Sequence, residues 1–454
     1  TYKKARVLQN STAKKVVKIV EALERQKTVR VPDPENEGKF IEKEEDDPDW
    51  AEARSILTEL LNNRAEMKSY DRSVMWNYWG YLYFSAEDYD QAMYAYEQLL
   101  KEPEATIPLR TASLLTLAQL NLVKERWDKG ISLILQWMDE VETITAQSYY
   151  LLSSAYFQKE DFVRARSNME EAIRLAEEEG YRPKENWYVL LAACFNELKD
   201  RKVIGPEYAL EQQVGIYEIL VNYYPKKQYF LQLGYTYQQM DREEDYMLTL
   251  KAAYDKDFLD KESEYLALAQ MLLLKKNPYW AAQVLVAGQQ KKVTITDDDT
   301  GEEEIVAVLK DKEKTLKLLA DAWRMAQEID MAIPVLEKAA KMSKDGDTYV
   351  LLGNLYLFED RMEDSIRAIK NGLEKPKVKS RSQALLVLGQ AYFELQNFEE
   401  AKKHFRAAAR DENKRIKKTA NSWIKYAENE EVRVKNLALR RDFIQQSKAK
   451  SKNS

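Results

Sequence analysis

The chain of 454 residues has one cysteine, one histidine, 13 glycines and 11 prolines. A single cysteine, Cys194, excludes an internal disulfide and leaves the redox compartment undecided. One imidazole and one thiol are too few for a transition-metal site built on those ligands. So few glycines and prolines leave little punctuation, which fits a chain that is mostly helix. No run approaches the eighteen apolar residues that a membrane-spanning helix needs. A Walker-type glycine-rich loop and a nucleophile elbow are both absent. Carboxylates occur throughout, so a pair of them marks nothing. No catalytic residue, cofactor or metal is assigned, and the expectation is a protein that is not an enzyme. Cys194 reads as a core residue. His404 follows Lys402 and Lys403 and precedes Phe405, so it reads as a solvated helix position.

What is present is a recurring spacing. A small or compact residue preceded by an apolar one falls at Gly80, Ala118, Ser153, Leu191, Gly234, Ala269, Ala320, Gly353 and Gly389. Three residues later come Tyr83, Asn121, Tyr156, Cys194, Tyr237, Leu272, Trp323, Tyr356 and Tyr392. Twelve after the first anchor a second small residue appears in most units, as at Ala92, Ala165 and Ala401, with a bulky residue four further on at Tyr96, Met169 and Phe405. These intervals place the anchors on one helical face, and small residues at the crossing let two helix axes approach. A period in the mid-thirties means that each helix pair buries its apolar face only by stacking on its neighbours.

The pattern resembles the tetratricopeptide repeat, carried by Trp76, Trp79, Gly80, Tyr83, Ala92 and Tyr96 and again by Leu385, Leu388, Gly389, Tyr392, Ala401, Phe405 and Ala408. The resemblance spans roughly residues 50 to 410. It implies an all-α, right-handed solenoid of about ten antiparallel helix pairs, with small β-hairpin insertions and a C-terminal capping helix. The expected organisation is a degenerate N-terminal helix pair with a hairpin insertion over 1–70, a solenoid over 71–411, a capping and extension helix over 412–446 and a disordered basic tail over 447–454.

Three insertions interrupt the period. Residues 13 to 26 read as a first helix, and Ala53, Leu57 and Leu60 anchor its partner; the polar, Pro-containing stretch between them predicts a hairpin and an acidic link. KVTIT and EEIVAV around DDDTG predict a second hairpin. KDRKVIGPEYALEQQ lengthens a third turn and extends the helix after it. The acidic run at 297–304 lacks the spacing of a helix-flanked calcium loop, so a solvated hairpin tip is expected there, and the same holds for 42–49.

Net charge is −6, yet residues 1–30 carry nine Lys or Arg against two Glu, and residues 410–454 carry 13 against six acidic residues. Without aromatic interleaving these basic ends read as solubilising caps or electrostatic docking points, and no nucleic-acid partner is expected. The segment around Ile416, Ala420, Trp423, Ile424 and Ala427 has helical period and suits a terminal cap.

In the repeat that this chain resembles, residues three before, one after and four after the small anchor face the groove. They are Asn77, Tyr81 and Phe84; Leu115, Gln119 and Leu122; Tyr150, Ser154 and Phe157; Tyr188, Ala192 and Phe195; and Leu231, Tyr235 and Gln238. The expected partner-binding residues are Asn77, Tyr81, Phe84, Tyr150, Phe157, Tyr188, Phe195 and Tyr235. Aromatics in a concavity suit capture of a protein segment. Tight curvature, which would bury some of them, is the alternative.

Read in order, TAKKVVKIVEAL, ENWYVLLAACFNELKD, YEILVNYYPKKQYFLQLGYTYQQM, NPYWAAQVLVAGQQ and ANSWIKYAENEEVR resemble the tetratricopeptide protein encoded beside the ExbB, ExbD and TonB energy-transduction genes of gammaproteobacteria. That resemblance implies a periplasmic accessory scaffold for TonB-dependent uptake of iron complexes or other nutrients. Its partner would be a component of that machinery or an outer-membrane transporter. A chain starting at Thr1 agrees with a removed signal peptide. The competing expectation is a cytoplasmic adaptor whose basic ends contact a protein complex, RNA or anionic lipid.

Overall fold

The structure is a computed structural model and describes residues 6–32, 40–296, 301–379 and 381–452. Among these residues it is all-α apart from two hairpins, and its contacts divide it into two compact units, Thr1–Pro225 and Lys226–Ser454.

In the first unit, α1 (Asn10–Leu23) and α2 (Trp50–Asn62) flank the hairpin β1 (Gln26–Pro32) and β2 (Phe40–Asp46). Four pairs follow: α3 (Ser69–Ser85) with α4 (Tyr89–Lys101), α5 (Ile107–Val123) with α6 (Trp127–Glu140), α7 (Ala146–Gln158) with α8 (Phe162–Glu178), and α9 (Glu185–Asp200) with α10 (Pro206–Tyr223). The antiparallel strands pair Gln26 with Asp46 through Pro32 with Phe40. Next to them, Lys27 meets Asp47 at 3.1 Å and Arg25 meets Asp49 at 2.9 Å.

The second unit opens with α11 (Lys227–Gln239) and α12 (Glu243–Asp255), then α13 (Glu262–Leu274) and α14 (Pro278–Gln290). The hairpin β3 (Lys292–Thr296) and β4 (Glu303–Ala307) precedes α15 (Glu313–Met325) and α16 (Ile329–Met342). Then come α17 (Asp347–Phe358) with α18 (Met362–Leu373), α19 (Arg381–Glu394) with α20 (Phe398–Ala408), and the long α21 (Lys414–Lys452). The second hairpin is rooted by Leu309, which is buried and donates its N–H to the Gly288 carbonyl at 2.9 Å. Residues 297–300 of the weighed calcium loop lie outside the described residues.

The anchors behave as their sizes dictate. All nine small or compact positions are buried. A Cβ added to Gly80 would sit 2.5 Å from the Tyr96 ring, and one added to Gly389 would sit 2.5 Å from the Phe405 ring. The missing side chain on the first helix is the space that the bulky residue on the second one fills. Where α12 carries Tyr246 at the second small position, that ring itself closes on Gly234.

The turn inside each pair is closed by backbone groups. Glu87 donates its N–H to the Phe84 carbonyl at 3.0 Å, and Asp88 donates to the Tyr83 carbonyl at 2.9 Å. This double closure satisfies carbonyls that a helix end leaves orphaned. It needs a left-handed residue, and that residue is never glycine: Glu87, Glu125, Glu160, Lys202, Asp241, Lys276, Gln327, Asp360 and Gln396 all have φ between +55° and +65°. The next residue often starts the second helix, with Asp88, Asp161 and Asn397 accepting N–H groups from its first turn.

The insertion after α9 works through this turn. Elsewhere the accepting carbonyl belongs to the residue three past the anchor, but here Leu198 accepts from Val203 and the Cys194 position is passed over by one helical turn. At the far ends of two pairs, Arg72 grips Glu102 at 2.8 and 2.7 Å, and Arg110 grips Glu140 at 2.9 and 2.7 Å. Each two-pronged, partly shielded pair ties the start of a first helix to the end of its partner.

Residues 447–452 continue α21. No glycine or proline interrupts Lys414 to Lys452, and its Lys, Arg, Ala and Gln residues favour helix. Ala420 and Ala427 of α21 are buried, with Trp423 stacked on Phe405 at 5.5 Å between ring centroids.

Candidate partner-binding groove

The first helix of each pair presents its anchor inward, so the positions beside the anchor decide what remains for a partner. The eight expected residues separate into three groups. Tyr81 is 47% exposed, Phe84 is 44% exposed and Tyr235 is 58% exposed. Asn77, Tyr150 and Phe157 are half-buried. Tyr188 and Phe195, at 4% and 1% exposure, belong to the core.

The last pair corrects the expectation, and the cause is local. The insertion lengthens α9 and sets Tyr208 of α10 edge-on to Phe195, with centroids 6.1 Å apart. From the preceding pair, the Arg166 guanidinium lies 5.8 Å from the Phe195 ring. Burial also pushes the Tyr188 hydroxyl up to about 12, with Glu177 adding to the rise. Neither ring is open to a partner.

The position four after the anchor also packs within its own pair. Phe84 lies 5.9 Å from Tyr89, Phe157 lies 5.1 Å from Phe162 and Phe393 lies 5.6 Å from Phe398. In each case the ring meets the first residue of the second helix and staples its own turn. Tyr150 is also engaged: it stacks on Trp187 at 5.6 Å and 15°, and its hydroxyl accepts from Asn186 Nδ2 at 2.8 Å.

The open part of this face in the first unit is therefore compact. Tyr81 tilts against Trp50 of α2 at 6.1 Å, and both rings keep more than a third of their surface in solvent. Phe84 stands one turn further along α3. Trp50 was missed by sequence reasoning because it belongs to a second helix, at the degenerate pair. Tyr235 stands alone on α11 in the second unit.

The second unit carries an exposed apolar row that the groove positions did not include. Leu274, Met325 and Phe358 lie five residues after their anchors and end α13, α15 and α17. Beside Phe358, a cleft of about 670 Å³ opens between the α15–α16 turn and α17. The equivalent cleft beside Leu274 is about 400 Å³. The signal was available as apolar residues where a helix end normally turns polar.

The reactive side chains are placed as follows. Cys194 is fully buried, and burial pushes its thiol up to about 12. His404 is half-buried rather than solvated: it stacks on Tyr392 at 5.6 Å and 5°, with Nε2 3.5 Å from Glu400. Burial lowers its basicity and Glu400 partly offsets that. Among the described residues no cluster of three His, Cys, Asp or Glu side chains could hold a metal ion, and no helix is long and apolar enough to cross a membrane.

No curated protein matches the sequence. Among solved structures, that of MamA is 19% identical with a TM-score of 0.32, covering 42% of this chain and 94% of its own. YrrB, described as a tetratricopeptide-repeat protein with an unusual peptide-binding site, is 16% identical with a TM-score of 0.31 over 44% of this chain and 91% of its own. A tetratricopeptide-repeat protein from Parabacteroides merdae is 13% identical with a TM-score of 0.25 over 62% and 98%. Two tetratricopeptide-repeat family models match the sequence itself, over residues 146–179, which hold α7 and α8, and over 350–414, which run from α17 into the start of α21. Each unit thus holds one segment that matches a tetratricopeptide-repeat model.

Proposed function

We propose that this chain is a non-catalytic protein-interaction scaffold that acts in the periplasm as an accessory component of a TonB-dependent nutrient uptake system. The interaction role is supported by the repeats and, above all, by the exposed pair of Trp50 and Tyr81. Its rings offer large apolar contact with few rotatable bonds, as anchors in protein interfaces do. The TonB assignment rests on the family resemblance of the ordered segments. Its partner is a protein of that machinery or an outer-membrane transporter.

A photo-reactive residue in place of Tyr81 should cross-link an envelope protein in intact cells, and Trp50→Ala should reduce that capture at least ten-fold. Unchanged capture by a stably folded Trp50→Ala variant removes the cluster from the interface. Deletion of the gene should slow growth on a limiting TonB-dependent nutrient; normal growth without a paralogue removes the uptake role.

The cytoplasmic-adaptor reading has one observation in its favour. Lys414, Lys417, Lys418 and Lys425 line one open face of α21, a row suited to phosphate groups. Salt-sensitive capture of RNA by the full chain, lost on reversing these charges, would favour it.

A further inference from the structure

The two sides of α21 differ in charge as well as in burial. Its packed seam runs through Ile416, Ala420, Trp423, Ala427 and Val434, which are buried or half-buried against α19 and α20. At about 100° per residue, the sector opposite that seam carries Lys414, Lys418 and Lys425 along its first part. Val432, Leu439 and Phe443 continue the same line, at 57%, 68% and 71% exposure. Arg440 follows beside them, with Ile444 and Leu437 beyond it on the same side. The helix projects here, since every residue from Lys435 to Lys448 is exposed.

No carboxylate interrupts that sector. The acidic residues of α21 are Glu428, Glu430, Glu431 and Asp442, and all four fall at its edges or on the packed side. Glu428 reaches back to Arg406 at 3.7 Å, Glu430 pairs with Arg433, and Glu431 joins Lys402 and Lys435, each at 2.7 Å. Asp442 borders Leu439 on the side away from Arg440. Lys414, Lys418, Lys425 and Arg440, by contrast, make no ion pair among the described residues. Unpaired cations in line with large apolar side chains match the two layers of an anionic bilayer surface: the cations meet lipid phosphates, the apolar groups enter the acyl boundary, and an arginine among them extends its head back to the phosphates. Nucleic acid would satisfy the lysines but leave Leu437, Leu439 and Ile444 in water, because it is held by charge and aromatic stacking.

We infer that the outward face of α21 lies on an anionic lipid surface, with Lys414, Lys418 and Lys425 at the headgroup phosphates and Leu439 and Phe443 in the acyl boundary. α19 and α20 pack on the opposite side of the helix and leave this face accessible. The inference does not rest on Trp50 and Tyr81 or on the uptake role. A chain that binds lipid yet captures no envelope protein would keep it and remove that reading.

Flotation of the full chain with vesicles through a density gradient tests it. The chain should rise with vesicles of phosphatidylglycerol and phosphatidylcholine, stay down with phosphatidylcholine alone, and be released as salt rises. Lys414→Glu with Lys418→Glu and Lys425→Glu should weaken the partitioning at least ten-fold. Leu439→Ser with Phe443→Ser, which leaves the charge unchanged, should also weaken it at least ten-fold. All five side chains are exposed, so the unfolding midpoints of both variants should match the wild type and separate lost binding from lost fold. No flotation with phosphatidylglycerol vesicles at low salt overturns the inference, and so does an apolar variant that floats like the wild type. RNA captured equally by the wild type and the apolar variant, with flotation of neither, assigns the lysines to nucleic acid instead.

Discussion

The first helices of the two units use the same anchors, yet they leave different surfaces open. In the first unit the aromatics near the anchors differ in exposure: Tyr81, one after its anchor, is open, whereas Tyr150 and Tyr188, three before theirs, are stacked and buried. In the second unit Tyr235 stays open beside its anchor, and so do Leu274, Met325 and Phe358 at helix ends, the position that Val123 leaves open in the first unit. The contrast shows that an aromatic residue at a groove position is not thereby a groove residue. What the next pair brings against it decides, and here an inserted turn brought Tyr208 over Phe195.

Truncation breaks the contrast most sharply. Phe195→Ala should cost about 3–5 kcal/mol in denaturant unfolding, the range for emptying a buried aromatic site. Phe358→Ala should stay within about 0.5 kcal/mol, as for an exposed residue. Equal costs would mean that the two rings are not in opposite environments.

Filling the anchor comes next. Gly80→Ala places a methyl group in the volume of the Tyr96 ring and should cost about 1–3 kcal/mol through overpacking. Adding Tyr96→Leu should recover part of that loss, and its failure to do so would separate the glycine from the ring.

The stack of His404 on Tyr392 gives a smaller, pH-dependent effect. Burial depresses the folded-state basicity of His404 below the usual 6.5, so the unfolded chain binds its proton more readily. This contribution is complete above about 6.5 and is lost as pH falls through the folded value. His404→Phe should flatten the dependence of the unfolding midpoint on pH in that window; an unaltered slope would assign it to other groups.

The smallest effect is a gain. Gln396 is left-handed at φ +59°, a conformation that costs an L-residue about 1 kcal/mol. Gln396→Gly should raise stability by up to about that amount, and a loss would show that the Gln side chain contributes more than the backbone saves.

The repeats were legible because burial acts on residue size. Gly80, Ser153 and Gly389 mark helix crossings, and Ala53, Leu57 and Leu60 gave the degenerate first pair its second helix, where all three are buried. The groove was less legible. Exposure is set by neighbours distant in sequence, as Tyr188 and Phe195 show. The staple role of Phe84 and Phe157 did leave a trace, an aromatic residue five positions later in both cases. The final helix was legible in composition, since no glycine or proline after Lys414 stops it.

The turns within the pairs have a consequence for how such a chain can vary. Their closure uses main-chain N–H and carbonyl groups, and Glu, Lys, Asp and Gln all occupy the left-handed position. A joint written in the backbone is blind to side-chain identity, so its letters can drift while its geometry is copied from pair to pair. Architecture of this kind outlasts its own signature: the family models match residues 146–179 and 350–414, whereas the same turn recurs from Glu87 to Gln396.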